Sequence, residues 1–183
     1  MLNKLLSIAV GLILLGAAYP VLTHGQSDEA EGVPILAFKT MVPVTGPYVG
    51  MANPIRTVPG GGLPWKIDNG SGELMASGRL RVRTRGLVLV NTGTNPVPMF
   101  RAIVSCQSID SKGDADVVNV STDAFQADAD GNSRVDTRLE LPNPCIAPIV
   151  SVTSPGGAWF AATGNSGYSR FRRSMHSCPM HSD

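Results

Sequence analysis

Between residues 33 and 164 the chain alternates short apolar stretches with segments rich in glycine, proline, asparagine and aspartate. The polar segments, among them PGGG, DNGSG and NTGTNPVP, hold residues that tolerate a positive φ or fix a turn. No apolar stretch keeps a helical period over a useful length, so we predict strands. Strands at this spacing predict an all-β fold, an antiparallel β-sandwich of about eight short strands, Ig-like or jelly-roll-like. The predicted strands are ILAFKTMVPV, LPWKI, GELMA, RLRVRTRGLVLV, MFRAIVSCQSI, VVNVSTDAF, SRVDTRLEL, IAPIVSV and AWFAATG.

One predicted strand, RLRVRTR, carries an arginine at every second position. Because successive side chains of a strand point to opposite faces, the four arginines share one face of the sheet. A later strand, RVDTRLELP, alternates in the same way but places Asp136 and Glu140 on either side of Arg138. We expect opposite charges on neighbouring strands to form cross-strand pairs on a solvated face, each worth a few tenths of a kcal/mol. The alternative interpretation is a stripe that binds polyanions. The arginines are Arg79, Arg81, Arg83 and Arg85.

The same alternation predicts part of the core. Val118 and Val120 begin an inward row that Phe125 cannot join without a change of parity, so we expect a β-bulge near Thr122 or Asp123. Both tryptophans, at positions 65 and 159, are expected to pack in the core or at strand ends rather than to form a ligand platform. The inward positions predicted for the MFRAIVSC strand are Phe100, Ala102, Val104 and Cys106.

Length and charge favour one domain with terminal extensions. The chain has 183 residues, a formal net charge of +1 and 16% charged residues, so no global field would draw it to nucleic acid or to an anionic membrane. An apolar run over residues 5–18 follows Lys4 and predicts a signal peptide spanning residues 1–25. An uncleaved anchor reaching Leu22 is the alternative, although Pro20 disfavours it. We therefore predict a disordered mature start over residues 26–32, a β-sandwich domain over 33–164 and a flexible tail over 165–183. The predicted location is secreted, periplasmic or otherwise extracytoplasmic, with no membrane attachment after cleavage.

Export changes the interpretation of the three cysteines. In an oxidising compartment the two within the folded region, Cys106 and Cys145, are expected to form a disulfide between neighbouring strands or facing sheets. Cys178 would then remain unpaired. The alternative is three free thiols in a reducing compartment.

Histidine placement excludes common nucleophilic chemistry. The three histidines, His24, His176 and His181, all lie outside residues 33–164, so a Ser-His-Asp or Cys-His site inside the domain would need the tail to fold back. Four acids could supply a carboxylate pair for glycoside hydrolysis, but only 5% of residues are aromatic, too few to line a sugar cleft. We expect no enzyme, no catalytic residue and no cofactor-binding residue. The four acids are Asp68, Glu73, Asp136 and Glu140.

The C-terminal sequence HSCPMH gathers soft metal ligands. Thiolate, thioether and imidazole together suit Cu(I), Ag(I) or Zn(II). The CPMH segment is similar to the opening of short heavy-metal-binding segments of copper and silver efflux proteins, but it lacks their preceding aromatic residue and their second cysteine motif. The alternatives are a flexible tail and an intermolecular disulfide. The candidate metal ligands are His176, Cys178, Met180 and His181.

Four segments between Gly61 and Gly164 carry a family resemblance: GLPW, NPVPMFRAIVSC, LPNPCIAP and GGAWFAATG. They resemble a group of small exported proteins, mostly bacterial, with GLPW, NPVPxFRAxVSC, LPxPCxAP and WFAATG segments. The resemblance implies a single-domain β fold with two cysteines and no activity. We therefore expect an exported, non-catalytic binding or structural module whose partner is an extracellular protein or surface. A metal-binding accessory protein is the alternative, and a small hydrolase is less favoured.

Overall fold

The computed structural model describes residues 32–164. In this range the chain forms twelve β-strands and one short 3-10 turn at Gly46–Tyr48, with no α-helix. Eight of these strands have four or more residues, and the other four are two-residue pairings. The strands are β1 Pro34–Phe38, β2 Val42–Pro43, β3 Trp65–Lys66, β4 Asn69–Met75, β5 Arg79–Arg85, β6 Val88–Leu89, β7 Met99–Ile109, β8 Ala115–Ser121, β9 Phe125–Gln126, β10 Ser133–Arg138, β11 Ile146–Thr153 and β12 Trp159–Ala162.

The strands form two main antiparallel sheets and one small ribbon. The four-stranded sheet has the order β1-β4-β5-β10. The six-stranded sheet has the order β2-β12-β11-β7-β8, with β9 also paired to β7, while β3 and β6 make the ribbon. The predicted all-β, sandwich-like fold is confirmed.

Apolar side chains from both sheets meet in one core. Leu74 and Leu80 from the four-stranded sheet and Phe100 from the six-stranded sheet are fully buried. Trp65 stacks on Phe160 with ring centroids 4.0 Å apart, and Phe100 meets Phe160 edge to face at 5.7 Å. The four predicted inward residues of β7, at positions 100, 102, 104 and 106, are all 0% exposed.

The second tryptophan lies on the other side of β12. Trp159 and Phe160 are neighbours on the strand, so their side chains point to opposite faces. Trp159 is 3% exposed, and its ring lies 6.3 Å from that of Tyr48. Both tryptophans are therefore packing residues, as predicted, and neither offers a face to a ligand.

Three predicted strands break in two, the first and fourth because the chain changes its pairing partner and the sixth because of a bulge. The first becomes β1 and β2, which lie in different sheets, and the fourth becomes β5 and β6. The sixth becomes β8 and β9, both paired with β7: Ser121 is opposite Ile103 and Phe125 is opposite Phe100. Three residues on one side therefore face two on the other, which is the bulge predicted near Thr122.

A short strap, Ile55–Val58, covers part of the outer face of the six-stranded sheet. The register of β11 shifts between Ile146 and Ile149, a stretch that includes Pro148, which has no N–H. Arg56 donates hydrogen bonds of 2.5 and 2.7 Å to the carbonyl oxygens of Ser105 and Ala147 at this irregular point. The guanidinium thus donates to backbone carbonyl oxygens that have no partner in the ladder between the strands.

The disulfide joins neighbouring strands of the six-stranded sheet. Cys106 lies inside β7 and Cys145 directly precedes β11, with their Cα atoms 4.8 Å apart. The predicted pairing is confirmed. Such a bond is compatible with an oxidising, extracytoplasmic compartment. Cys178 and the predicted signal peptide lie outside the described residues.

Within residues 32–164 no helix has the length and apolar character that crossing a membrane requires.

Candidate functional site: an arginine face with two different ends

The arginine face of β5 forms as the alternation predicts. Leu80, Val82 and Thr84 are 0 to 3% exposed and face the core, while the arginines between and beside them face outward. β5 is an interior strand of its sheet: Arg81 and Arg83 have partners on both β4 and β10, Arg79 is paired with Arg138 of β10, and Arg85 is paired with Asn69 of β4. What those neighbours are differs from one end of β5 to the other.

At one end, which we call the paired end, two arginines hold two carboxylates. Arg81 lies opposite Glu73 on β4 and opposite Asp136 on β10. Its guanidinium donates to Glu73 Oε1 at 2.6 Å and to Asp136 Oδ2 at 3.3 Å. Arg79 donates to both oxygens of Asp136, at 2.9 and 3.0 Å. The predicted cross-strand pairing is therefore confirmed for Asp136, and it extends to Glu73.

Charge at the paired end stabilises the ionised carboxylate. The hydrogen bond from Arg79, reinforced by one from Arg81 and by both positive charges, lowers the pKa of Asp136 from 3.8 to about 2. The hydrogen bond to Glu73 is the main cause that raises the pKa of Arg81. A general acid needs a pKa raised toward neutrality, so this environment shifts Asp136 in the opposite direction.

The remaining predicted acids lie elsewhere. Asp68 lies just before β4, exposed, and its N–H donates to the carbonyl of Arg85. Glu140 is exposed beyond the end of β10 and makes no ion pair with another described residue. The structure thus brings together only Glu73 and Asp136 of the four candidate acids, and it places Arg81 between them.

At the other end, the open end, the arginines meet no carboxylate. Arg83 lies directly opposite Arg134 on β10 and opposite Ser71 on β4. Arg85 lies opposite Asn69. Among residues 32–164 no salt bridge involves any of these three arginines, all of which are exposed.

The open end borders a surface concavity of about 970 Å³. Its lining includes all three arginines of the open end together with Met99, Gln126 and other polar side chains. Asp128 is the one carboxylate among the described lining residues, so three guanidiniums and one carboxylate leave a net charge of +2. The concavity lies where the chain passes from β9 in one sheet to β10 in the other.

A tight turn over residues 128–132 forms one wall of this concavity. Asp128 accepts hydrogen bonds from the backbone N–H of Asn132 at 2.8 Å and from its side chain at 3.1 Å. The first of these bonds is the main cause that lowers the pKa of Asp128. Gly131 has a φ of +72°, and a Cβ there would lie 2.1 Å from the carbonyl oxygen of Leu87. Glycine is therefore required in this turn.

Two buried polar side chains anchor the turn to the domain. Asn95 donates from its side-chain amide to the carbonyl of Asp128 at 2.9 Å. The hydroxyl of Thr84 donates to the carbonyl of Gly131 at 3.0 Å and also bonds Ser133 Oγ at 2.7 Å. Because Asn95 and Thr84 are 8% and 1% exposed, the wall is held from inside.

Sequence reasoning missed the role of Arg134. Once Asp136 is placed opposite Arg81, an antiparallel register places Arg134 opposite Arg83. The spacing of the charges along the two strands was therefore enough to predict this pair. What the sequence did not reveal was that Glu73, rather than Glu140, completes the paired end.

No group of three histidine, cysteine, aspartate or glutamate side chains within residues 32–164 is arranged to hold a metal ion. The candidate ligands His176, Cys178, Met180 and His181 lie outside the described residues, so the tail site stays a prediction.

Comparison with known proteins finds no matching family model, no similar curated protein and no similar solved structure. Function must therefore be inferred from the arrangement of the residues themselves.

Proposed function

We propose that this protein is an exported, non-catalytic binding module that presents a charged sheet face to a partner outside the cytoplasm. The observation that carries the proposal is the open end, where Arg83, Arg85 and Arg134 line a concavity of about 970 Å³ without an acidic partner among residues 32–164. This volume lies within the range of ligand-binding clefts. The sandwich core supplies a rigid support for such a surface.

The acids of the same face support a binding role over a hydrolytic one. Asp136 and Glu73 are both hydrogen-bonded to Arg81, and the pKa of Asp136 is lowered to about 2. An inverting or retaining glycosidase needs one carboxylic acid that keeps its proton near neutral pH. Nothing in this pair supplies that acid.

The proposal is tested by presenting the full mature chain with dextran sulfate, polygalacturonate, neutral dextran and vesicles of anionic or neutral lipid. We expect retention of at least one of these, with the chain length of each polymer unchanged after long incubation. Cleavage of any polymer would refute the non-catalytic role. Failure to retain any of them under low salt would refute the binding role.

Export itself is tested separately by mass spectrometry of the mature chain. We expect a new N-terminus after Ala18 or after Gly25, and one disulfide between Cys106 and Cys145. An intact Met1 in the mature protein would contradict cleavage.

The alternative function, a metal-binding accessory protein, rests on the clustering of soft ligands at His176, Cys178, Met180 and His181. Titration with Cu(I) of the full chain and of a chain truncated after Gly164 separates the two proposals. Stoichiometric uptake that disappears on truncation would favour the metal role. Equal, weak uptake by both chains would eliminate it.

A further inference from the structure

We propose that the open end binds the sulfate, phosphate or carboxylate groups of an acidic carbohydrate. The inference rests on the proposed binding function and names its site and its ligand class. The site consists of Arg83, Arg85 and Arg134 together with the wall formed by the turn over residues 128–132.

Without a ligand, the arrangement of charges at the open end is unfavourable. Like charges directly opposite each other on neighbouring strands destabilise a sheet, and Arg83 and Arg134 are such a pair. Arg79 and Arg138 form a second such pair at the paired end, but there Asp136 binds Arg79, whereas within residues 32–164 no carboxylate forms a salt bridge with Arg83 or Arg134. Two residues away, the same two strands place Arg81 opposite Asp136, so the sheet can pair its charges. An oxyanion bound between Arg83 and Arg134 would offset their positive charges, as the carboxylate of Asp136 does at the paired end.

The guanidinium group is well suited to bind oxyanions. Its planar fork matches carboxylate, sulfate and phosphate oxygens in a bidentate manner, which a lysine ammonium cannot do. Side chains two residues apart on a strand lie about 7 Å apart, and opposite residues lie about 5 Å apart. Arg83, Arg85 and Arg134 therefore suit either one anionic group or two neighbouring ones on the same molecule.

The size and rigidity of the concavity favour a ligand larger than a single ion. Its volume of about 970 Å³ is far more than a single inorganic ion fills, so room remains for the sugar units that carry the anionic groups. Gln126 and Asn132 add polar side chains to the lining. Since Asn95 and Thr84 fix the wall from inside, binding would not have to order the turn first.

The lining also argues against two other anionic partners. Among the described lining residues none is aromatic, so the site has no platform on which unpaired bases could stack. Apolar side chains at the rim amount to little beyond Pro98 and Met99, too few to insert into a lipid surface. Nucleic acid and anionic membranes therefore serve as comparison ligands in the test.

The test compares two single variants of the same strand. Arg134→Gln removes a guanidinium from the open end, and Arg138→Gln removes one from the same exposed face of β10 outside this concavity, where it lies opposite Arg79. Binding of the full mature chain to dextran sulfate and to polygalacturonate is measured by calorimetry, with neutral dextran, single-stranded DNA and phosphatidylglycerol vesicles in parallel. Both variants change the net charge equally.

We expect Arg134→Gln to weaken binding of the acidic polymers by about tenfold or more, while Arg138→Gln changes it less than about twofold. Arg134→Lys should recover only part of the loss because lysine keeps the charge and loses the fork. Without ligand, Arg134→Gln should melt no lower than the wild type, and about 1–3 °C higher if the like-charge repulsion is relieved. This melting measurement also shows that the variant is folded.

Equal losses in Arg134→Gln and Arg138→Gln would overturn the proposed site, since they would indicate a diffuse charge effect. Tighter binding of DNA or vesicles than of either acidic carbohydrate would overturn the ligand class. If the wild type retains only neutral dextran, or if Arg134→Gln binds as well as the wild type, the inference fails while the proposed binding function stands. If no ligand is retained at all, both fail.

Discussion

The two ends of β5 use the same residue type for different purposes. At the paired end, Arg79 and Arg81 engage Asp136 and Glu73 at hydrogen-bond distances, and the charges are satisfied within the sheet. At the open end, the neighbours of the arginines are Ser71, Asn69 and a further arginine. A charged strand face is therefore not one functional unit: what each charge can do depends on the residue opposite it.

The difference has opposite consequences for stability and for binding. Charges that are paired across strands add a small stabilisation and offer little to a ligand. Charges that are left opposed cost stability in the free protein and regain it when an anion arrives. The following predictions test this difference, and they run from the largest expected effect to the smallest.

Removal of the disulfide should have the largest effect on stability and should leave the difference between the two ends of β5 unchanged. The bond closes a loop over a sequence separation of 39, so Cys106→Ala with Cys145→Ala should lower the free energy of unfolding by about 4 kcal/mol. The bond lies in the six-stranded sheet, whereas Arg134 is on the other sheet. The factor by which Arg134→Gln weakens binding of acidic polymers should therefore be the same with and without the two cysteines. Denaturant unfolding and calorimetric binding measure the two quantities, and a collapse of that factor would show that the bond shapes the open end.

Gly131→Ala should damage the open end selectively. Its Cβ would lie 2.1 Å from the carbonyl oxygen of Leu87 at a φ of +72°, so we expect a loss of about 2–4 kcal/mol in unfolding free energy and weaker binding of acidic polymers. Gly113→Ala is the matched control, because Gly113 has a φ of +90° with no atom within 4 Å of the added Cβ. It should cost only about 1–2 kcal/mol and leave binding intact. Equal effects of the two changes would mean that backbone strain, not the clash, limits the turn.

Asp136→Asn should weaken the paired end in a manner that depends on pH. The pKa of Asp136 falls from 3.8 to about 2 on folding, so its stabilisation is present above pH 4 or so and is lost as the pH falls through about 2. After allowance for solvent screening, we expect the variant to be less stable by about 1 kcal/mol at neutral pH and equal to the wild type below pH 2 or so. Denaturant unfolding across this pH range, with Asp123→Asn as a control for charge, measures the difference. A difference that grows toward low pH would contradict the assigned sign.

Arg134→Glu should convert the open end into a second paired end. A carboxylate opposite Arg83 should raise the free energy of unfolding by about 0.5 kcal/mol and should abolish binding of acidic polymers. The gain in stability should shrink in 1 M salt, because exposed pairs are screened. A variant that is less stable than the wild type at low salt would show that Arg83 and Arg134 do not repel each other in the free protein.

Local patterns were enough to predict most of the fold. Period-two alternation predicted the inward rows of β5 and β7, a parity conflict predicted the bulge before Phe125, and two cysteines predicted the disulfide. The breaks between β1 and β2 and between β5 and β6 were missed because they depend on which sheet each half joins. That choice is made by packing, and hydrophobic alternation looks the same on both sides of the break.

The candidate site could be predicted only in part, for a related reason. Asp136 was expected to meet the arginines of β5, and it does. Whether Glu73 or Glu140 would join it depended on strand order, since Glu73 belongs to β4 on the other side of β5. The open end exists because the same register that satisfies Arg81 places Arg134 opposite Arg83, and a sequence shows such a coincidence only after the register is known.

The two tryptophans place an intrinsic fluorescent probe on each side of the six-stranded sheet. Trp65 is stacked on Phe160 in the core, whereas Trp159 contacts Tyr48 on the opposite side of β12. Both indoles are almost fully shielded from water, so their emission shifts to longer wavelength only where the structure opens. Replacing one or the other with phenylalanine would therefore assign an emission change to the interior or to the outer layer, and would reveal whether the two sides of this sheet open together or in sequence.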